Sequence, residues 1–242
     1  MSRGQPDFGA TQAKSTGASL SDMAELAARL GSIVTFDRRG DVIDFDDFEG
    51  ATINWGRHEA IGVATGLHDF TLPKRGSQCI KLTTVNDPGD AKGIGKGLSL
   101  LPSGRIGAEI SFAQPNDNII FIMRFNWFNG ITVRQSALKL DFTAKTLSYY
   151  DSDAAYQVIA SDLTFISKEQ VYYTIKLVVD YDTGKYVRAI LADTEYDLSD
   201  YAIRSAASAT LPYIGSVFFI YRKASTNGSL WLDQYILTQN EP

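Results

Sequence analysis

Four acidic residues crowd one short stretch, Asp44, Asp46, Asp47 and Glu49, in a 242-residue chain that is sparing with charge elsewhere. Hard carboxylate oxygens gathered in one loop suit a structural calcium ion. The competing reading is a strand that buries Phe45 and Phe48 and leaves its acids in water. Aromatic side chains are the second resource. Trp55, Trp127, Phe128, Tyr149, Tyr150, Tyr156 and Trp231 are all large enough to stack on a pyranose face. Two neighbouring pairs are the best placed for ligand binding: Trp127-Phe128, just before the Asn129-Gly130 turn, and Tyr149-Tyr150, just before Asp151. Large aromatics serve equally well as core, so each pair has a packing reading beside its binding one.

Other chemistry finds little support. Only His58 and His68 could act as imidazole bases, and neither has a recognisable setting for a serine nucleophile or for Cys79. Two histidines are too few for a histidine-rich zinc site without carboxylate help. Gly93, Gly95 and Gly97 look like a phosphate loop only in spacing, because no Gly-Lys-Ser/Thr and no strand-to-helix switch follows. With 23 basic and 28 acidic residues the net charge is −5, which argues against a broad nucleic-acid-binding face. A single cysteine allows no intrachain disulfide. The first 17 residues lack the apolar stretch of a secretory signal, and no run approaches the ~20 apolar residues that span a bilayer. The expectation is a protein without membrane contact, cytoplasmic unless it is carried in a virion.

The elements that must position these residues read as strands. Within residues 172–180, Tyr173, Ile175, Leu177 and Val179 share one parity, while Thr174, Lys176 and Asp180 share the other, so one face is apolar and one mostly wet. Asp182-Thr183-Gly184-Lys185 supplies a turn into a partner over 186–192. Further strands are expected at 51–55, 78–85, 105–112, 119–127, 132–142, 146–151, 213–222 and 229–237, with 87–97 as a long glycine-bearing surface loop. The 119–125 segment is apolar on both parities except at Arg124, which predicts a central strand covered on both faces. Ahead of the strands, residues 1–18 read as a flexible polar arm, and 19–42 as a short helix plus connecting segment. Residues 43–242 read as one all-β, two-sheet antiparallel sandwich.

Three stretches carry a resemblance. Phe45-Asp46-Asp47-Phe48-Glu49-Gly50 followed by Trp55, the 172–196 hairpin with its Asp-Tyr-Asp-Thr-Gly-Lys-Tyr turn, and Leu230-Trp231-Leu232-Asp233-Gln234-Tyr235 resemble concanavalin A-like and laminin-G-like jelly rolls. In those folds the first and last strands commonly lie side by side. The resemblance therefore implies that Asp233 lies near Asp46 and could join Asp46, Asp47 and Glu49 around calcium. Jelly rolls host many activities. Family-16 glycoside hydrolases on this fold show Glu-x-Asp-x-x-Glu on one strand; nothing here matches it, since Glu109 is followed by Ile110 and Ser111.

The arm, the helix and the sandwich together are similar in layout to bacterial and phage proteins, including virion structural components. That layout implies a non-enzymatic, homo-oligomeric structural or attachment protein, a capsid-decoration or tail-associated component. Its partners would be itself, with a trimer as one option, and other virion proteins. A lectin-like, glycan-binding module is the alternative, and a polysaccharide hydrolase is the third reading.

Overall fold

The computed structural model describes residues 39–57, 67–84, 91–99, 104–115, 117–166, 171–223 and 227–242. The arm and the helix expected over 1–30 lie outside the described residues.

In chain order the strands are β1 (Asp41–Asp46), β2 (Gly56–Arg57), β3 (Leu67–Asp69), β4 (Cys79–Thr83), β5 (Ala91–Ser99), β6 (Arg105–Ala113), β7 (Ile119–Phe128) and β8 (Thr132–Asp141). They continue with β9 (Thr146–Tyr150), β10 (Tyr156–Ala160), β11 (Tyr172–Asp180), β12 (Lys185–Leu191), β13 (Thr194–Asp197), β14 (Arg204–Ala207), β15 (Tyr213–Arg222) and β16 (Ser229–Gln239). Every pairing between them is antiparallel, and they form two eight-stranded sheets. The first runs β13-β12-β11-β6-β16-β4-β3, with β1 also on β16; the second runs β10-β9-β8-β7-β15-β5-β2, with β14 also on β8. The architecture is the all-β antiparallel sandwich that the sequence predicts, and the first and last strands are neighbours, with Asp46 opposite Tyr235.

Period-two patterning sorts the faces. Ile106, Ala108, Ile110 and Phe112 on β6 and Ile175, Leu177 and Val179 on β11 point between the sheets. There they meet Phe121, Met123 and Phe125 of β7 and Ile214, Phe218 and Ile220 of β15. Aromatic rings knit the layer: Phe112 lies 5.4 Å from Phe121 and 5.9 Å from Phe142, and Trp55 packs edge-on to Tyr235 at 4.8 Å. The hydroxyls of the fully buried core tyrosines Tyr181, Tyr186 and Tyr235 are each satisfied. Tyr235 pairs with Ser216 at 2.7 Å, and Tyr186 donates to the Tyr150 carbonyl at 2.6 Å.

Three expectations are corrected. Most of the 87–97 surface loop is the nine-residue strand β5, whose glycines at 93, 95 and 97 lie opposite Phe219, Val217 and Gly215. Gly93 has no room for a side chain, since a Cβ there would sit 2.5 Å from the Phe219 Cβ. Residues 51–55 form bends, not a strand. Finally, the face of β11 read as wet is buried, with Thr174 at 0% and Lys176 at 1% exposure.

Candidate functional site

The two sheets use their outer faces differently. On the first sheet that face is closed by polar contacts. Lys176 Nζ meets Glu241 Oε1 at 2.8 Å, Arg188 Nη2 meets Oε2 at 2.5 Å, and Ser111 shares a hydrogen bond with Thr174 at 2.9 Å. Lys74 Nζ donates to Ser111 Oγ at 2.9 Å, while the backbone N–H groups of Lys74 and Arg75 donate to Asp233 Oδ2 at 2.8 and 3.3 Å.

The acidic cluster is part of that closure. Asp46 accepts from the Phe48 N–H through Oδ1 and from the Trp55 indole N–H through Oδ2, both at 2.8 Å. These bonds hold Phe48 in the left-handed region, at φ 58°. Asp47 accepts from the Glu49 N–H. Glu49 accepts from the N–H groups of Ser77 and Gln78 and from the Ser77 hydroxyl, and these bonds hold its carboxyl below the usual range. Asp233 is fully buried; desolvation pushes its carboxyl up to about 6, against the opposing effect of the backbone donors. A cavity of about 230 Å³ borders Phe45, Asp47, Glu49, Arg75, Asp233 and Gln234. The carboxylates around it do not converge, and among the described residues no group of three or more His, Cys, Asp or Glu is placed to hold a metal ion. Asp46, Asp47 and Glu49 each fix the loop through these backbone and side-chain hydrogen bonds.

The outer face of the second sheet combines a buried apolar floor with side chains that are only half buried. Register fixes its rows, because directly opposed residues share a face. Ile120, Ile122, Arg124, Asn126 and Phe128 of β7 face Asp141, Lys139, Ala137, Gln135 and Val133 of β8. On the other side they face Tyr221, Phe219, Val217, Gly215 and Tyr213 of β15. Tyr150 of β9 and Tyr156 of β10 extend the row. Ala91, Ile122, Ala137, Val217 and Phe219 form a buried apolar floor, with Tyr150, Tyr156 and Tyr221 packed against it. The row along β7 is about 26 Å long at roughly 3.3 Å per residue.

Polar groups stand on this floor. The Arg124 guanidinium lies 5.0 Å from the Phe219 ring and 5.9 Å from the Tyr150 ring, and Lys139 Nζ lies 4.6 Å from the Tyr156 ring. Arg124 Nε and the Tyr156 hydroxyl are both buried, and the guanidinium and the phenol are each other's nearest polar neighbours, short of ideal hydrogen-bond geometry. Burial pushes the Tyr156 phenol up, and the Arg124 charge beside it offsets part of that rise. Gln135 donates to Asn126 at 3.0 Å and accepts from Arg204, and Phe128 stacks on Tyr213 at 4.6 Å.

The expected aromatic pairs are split by the pleat. Phe128 and Tyr150 stand on the outer face, but Trp127 and Tyr149 point between the sheets, at 8% and 7% exposure. Trp127 stacks on Tyr181 and Tyr149 on Tyr201. Sequence reasoning missed Arg124, Lys139, Asn126, Gln135, Tyr213 and Tyr221. The available signal was Arg124 itself, a lone charge in an otherwise apolar strand.

No protein-family model matches the chain, and no curated protein matches it in sequence. Solved structures do share its fold. An endo-β-1,4-glucuronan lyase from Trichoderma reesei superposes with a TM-score of 0.57 at 10% identity, covering 82% of this chain and 95% of the lyase. A prokaryotic β-1,3-1,4-glucanase (lichenase) from a mouse hindgut metagenome gives 0.50 at 13% identity, covering 81% and 98%. A sialidase gives 0.51 at 10% identity, and this chain spans 19% of its length. The expectation of a non-enzymatic phage virion component is corrected here, because the structures that share the fold are a polysaccharide lyase and a glucanase. The layout of arm, helix and sandwich that suggested a virion says nothing specific about the sandwich itself. What the superpositions establish is the fold alone: a two-sheet, all-antiparallel jelly-roll sandwich.

Proposed function

We propose that the protein acts on polysaccharides and seats a glycan chain along the outer face of the second sheet. One observation carries this reading: a row of aromatic and hydrogen-bonding side chains, half-buried at Phe128, Tyr213, Gln135, Tyr150 and Tyr156 and buried at Asn126, on a sheet face whose apolar floor is already formed. Aromatic rings offer a sugar its flat apolar face, and amides and guanidinium groups between them suit its hydroxyls. The glucuronan lyase and the lichenase that share the fold support the same class of ligand.

Hydrolysis by a facing carboxylate pair needs two acids about 5 to 9 Å apart across the glycan. On this face Asp141 is already bonded to Lys223 and to the Ala144 N–H.

Retardation of the full chain in native gels containing polysaccharides, run for the wild type and for Phe128→Ala/Tyr150→Ala, tests the reading. Retardation by at least one polysaccharide, lost in the double variant while its thermal transition stays cooperative, is the expected result. Unchanged retardation of that variant would place the ligand elsewhere.

A further inference from the structure

Charge on the outer face of the second sheet runs opposite to that of the chain. The protein is net negative, at −5, yet the middle of this face holds Arg124 and Lys139. Among the described residues no ion pair involves either of them. Arg124 lies opposite Ala137, and Lys139 is two residues further along the same strand. The two cations are thus diagonal neighbours, about 7–8 Å apart at the backbone. Like charges at that spacing repel. Asp141, a carboxylate on the same row of β8, is occupied by Lys223 Nζ at 2.5 Å.

The surroundings hold the cations without neutralising them. Phe219, Tyr150 and Tyr156 supply ring faces beneath the two charges. Ring faces attract a cation yet leave its N–H donors unspent. The Tyr156 hydroxyl lies beside the Arg124 guanidinium, and no carboxylate reaches that charge among the described residues. A planar guanidinium with free donors matches the two oxygens of a carboxylate or sulfate, and an ammonium beside it adds a second positive charge.

We infer that the ligand is an anionic polysaccharide, whose acidic group, a uronate carboxylate or a sulfate ester, sits between Arg124 and Lys139 while its sugar rings continue along the row toward Phe128 and Tyr213. This rests on the reading that a glycan chain occupies the face, and it adds the chemical class of that glycan.

Calorimetric titration of the full chain with three polymers tests it: a polyuronate, the same polymer with its carboxylates reduced to alcohols, and a sulfated neutral glucan. At least one anionic polymer should bind about tenfold tighter than the reduced one, as one charge-assisted contact would give. That preference should shrink as salt is raised. Arg124→Gln and Lys139→Gln should each lose most of it. Lys139 is half exposed, so its variant carries the test even where the arginine variant unfolds. The sulfated and carboxylated arms show which acidic group is preferred. Equal affinity for the polyuronate and its reduced form, with no preference for the sulfated glucan, overturns the anionic assignment and leaves glycan binding standing. Failure of all three to bind overturns both.

Discussion

Replacing Trp127 and Phe128 one at a time separates packing from recognition at single-residue resolution. Trp127 is buried between the sheets and stacked on Tyr181 at 5.7 Å. Trp127→Ala should therefore cost about 3–5 kcal/mol in urea unfolding. Phe128 stacks on Tyr213 with one side toward water, so Phe128→Ala should cost only about 1 kcal/mol while weakening retardation by a polysaccharide. Asp233 gives a residue-scale pH prediction. Its folded carboxyl is raised to about 6 from an ordinary 3.8, so the protonated form is favoured in the fold. The stability it contributes is fully present below about pH 4 and is lost as pH rises through 6, roughly 3 kcal/mol in all. Asp233→Asn keeps an acceptor for the Lys74 and Arg75 N–H groups but cannot ionise. Relative to wild type, the variant should gain stability between pH 5 and 7, as measured by thermal unfolding across that range; a parallel pair of curves would show that Asp233 is solvated.

At the scale of elements, alternation made most of the fold legible. Ile106 to Phe112 and the residues of β11 announce their inner faces because a side chain every second residue must be apolar there and the sequence supplies it. β5 was illegible for the same physical reason. With glycine at 93, 95 and 97, its outer parity carries no side chain to alternate, and glycine-rich text reads as loop. What specifies the strand lies on β15, where Phe219 fills the space that Gly93 leaves. Gly93→Ala should accordingly cost about 1–3 kcal/mol by overpacking, since its Cβ would meet Phe219 Cβ at 2.5 Å and the Phe218 carbonyl at 2.6 Å. Urea unfolding measures it; a neutral substitution would mean that β5 can slide away from β15. The candidate site was half legible. Phe128 and Tyr150 could be named from sequence, but the pleat removes Trp127 and Tyr149 from their face, and Lys139 and Tyr213 join the row only through pairings between strands far apart in the chain.

On the scale of the whole molecule, the outer face of the first sheet is sealed by the segment that carries Glu241. The Glu241 carboxylate is fully buried and takes Lys176 Nζ at 2.8 Å, Arg188 Nη2 at 2.5 Å and the Thr238 hydroxyl at 2.5 Å. It fits there because Gly40 and Gly107 carry no side chains; a Cβ on either would lie within 2.7 Å of Oε1. One carboxylate thereby ties the strand before the acidic loop, the centre of the first sheet and the β11–β12 hairpin to the chain end. Period-two reading assigned the Lys176 face to water because nothing local in β11 reveals a counter-charge 65 positions away in sequence. Glu241→Gln leaves two nearly buried cations short of the negative charge they share, and an uncompensated buried charge costs far more than a lost surface pair. The variant should lose about 3–5 kcal/mol in urea unfolding, with the transition still a single step if the two sheets unfold together. A loss under about 1 kcal/mol, the range of exposed pairs, would mean that water reaches Lys176 and that the first sheet's outer face is open as well. In that case the contrast between a sealed first face and a receptive second one would fail along with it.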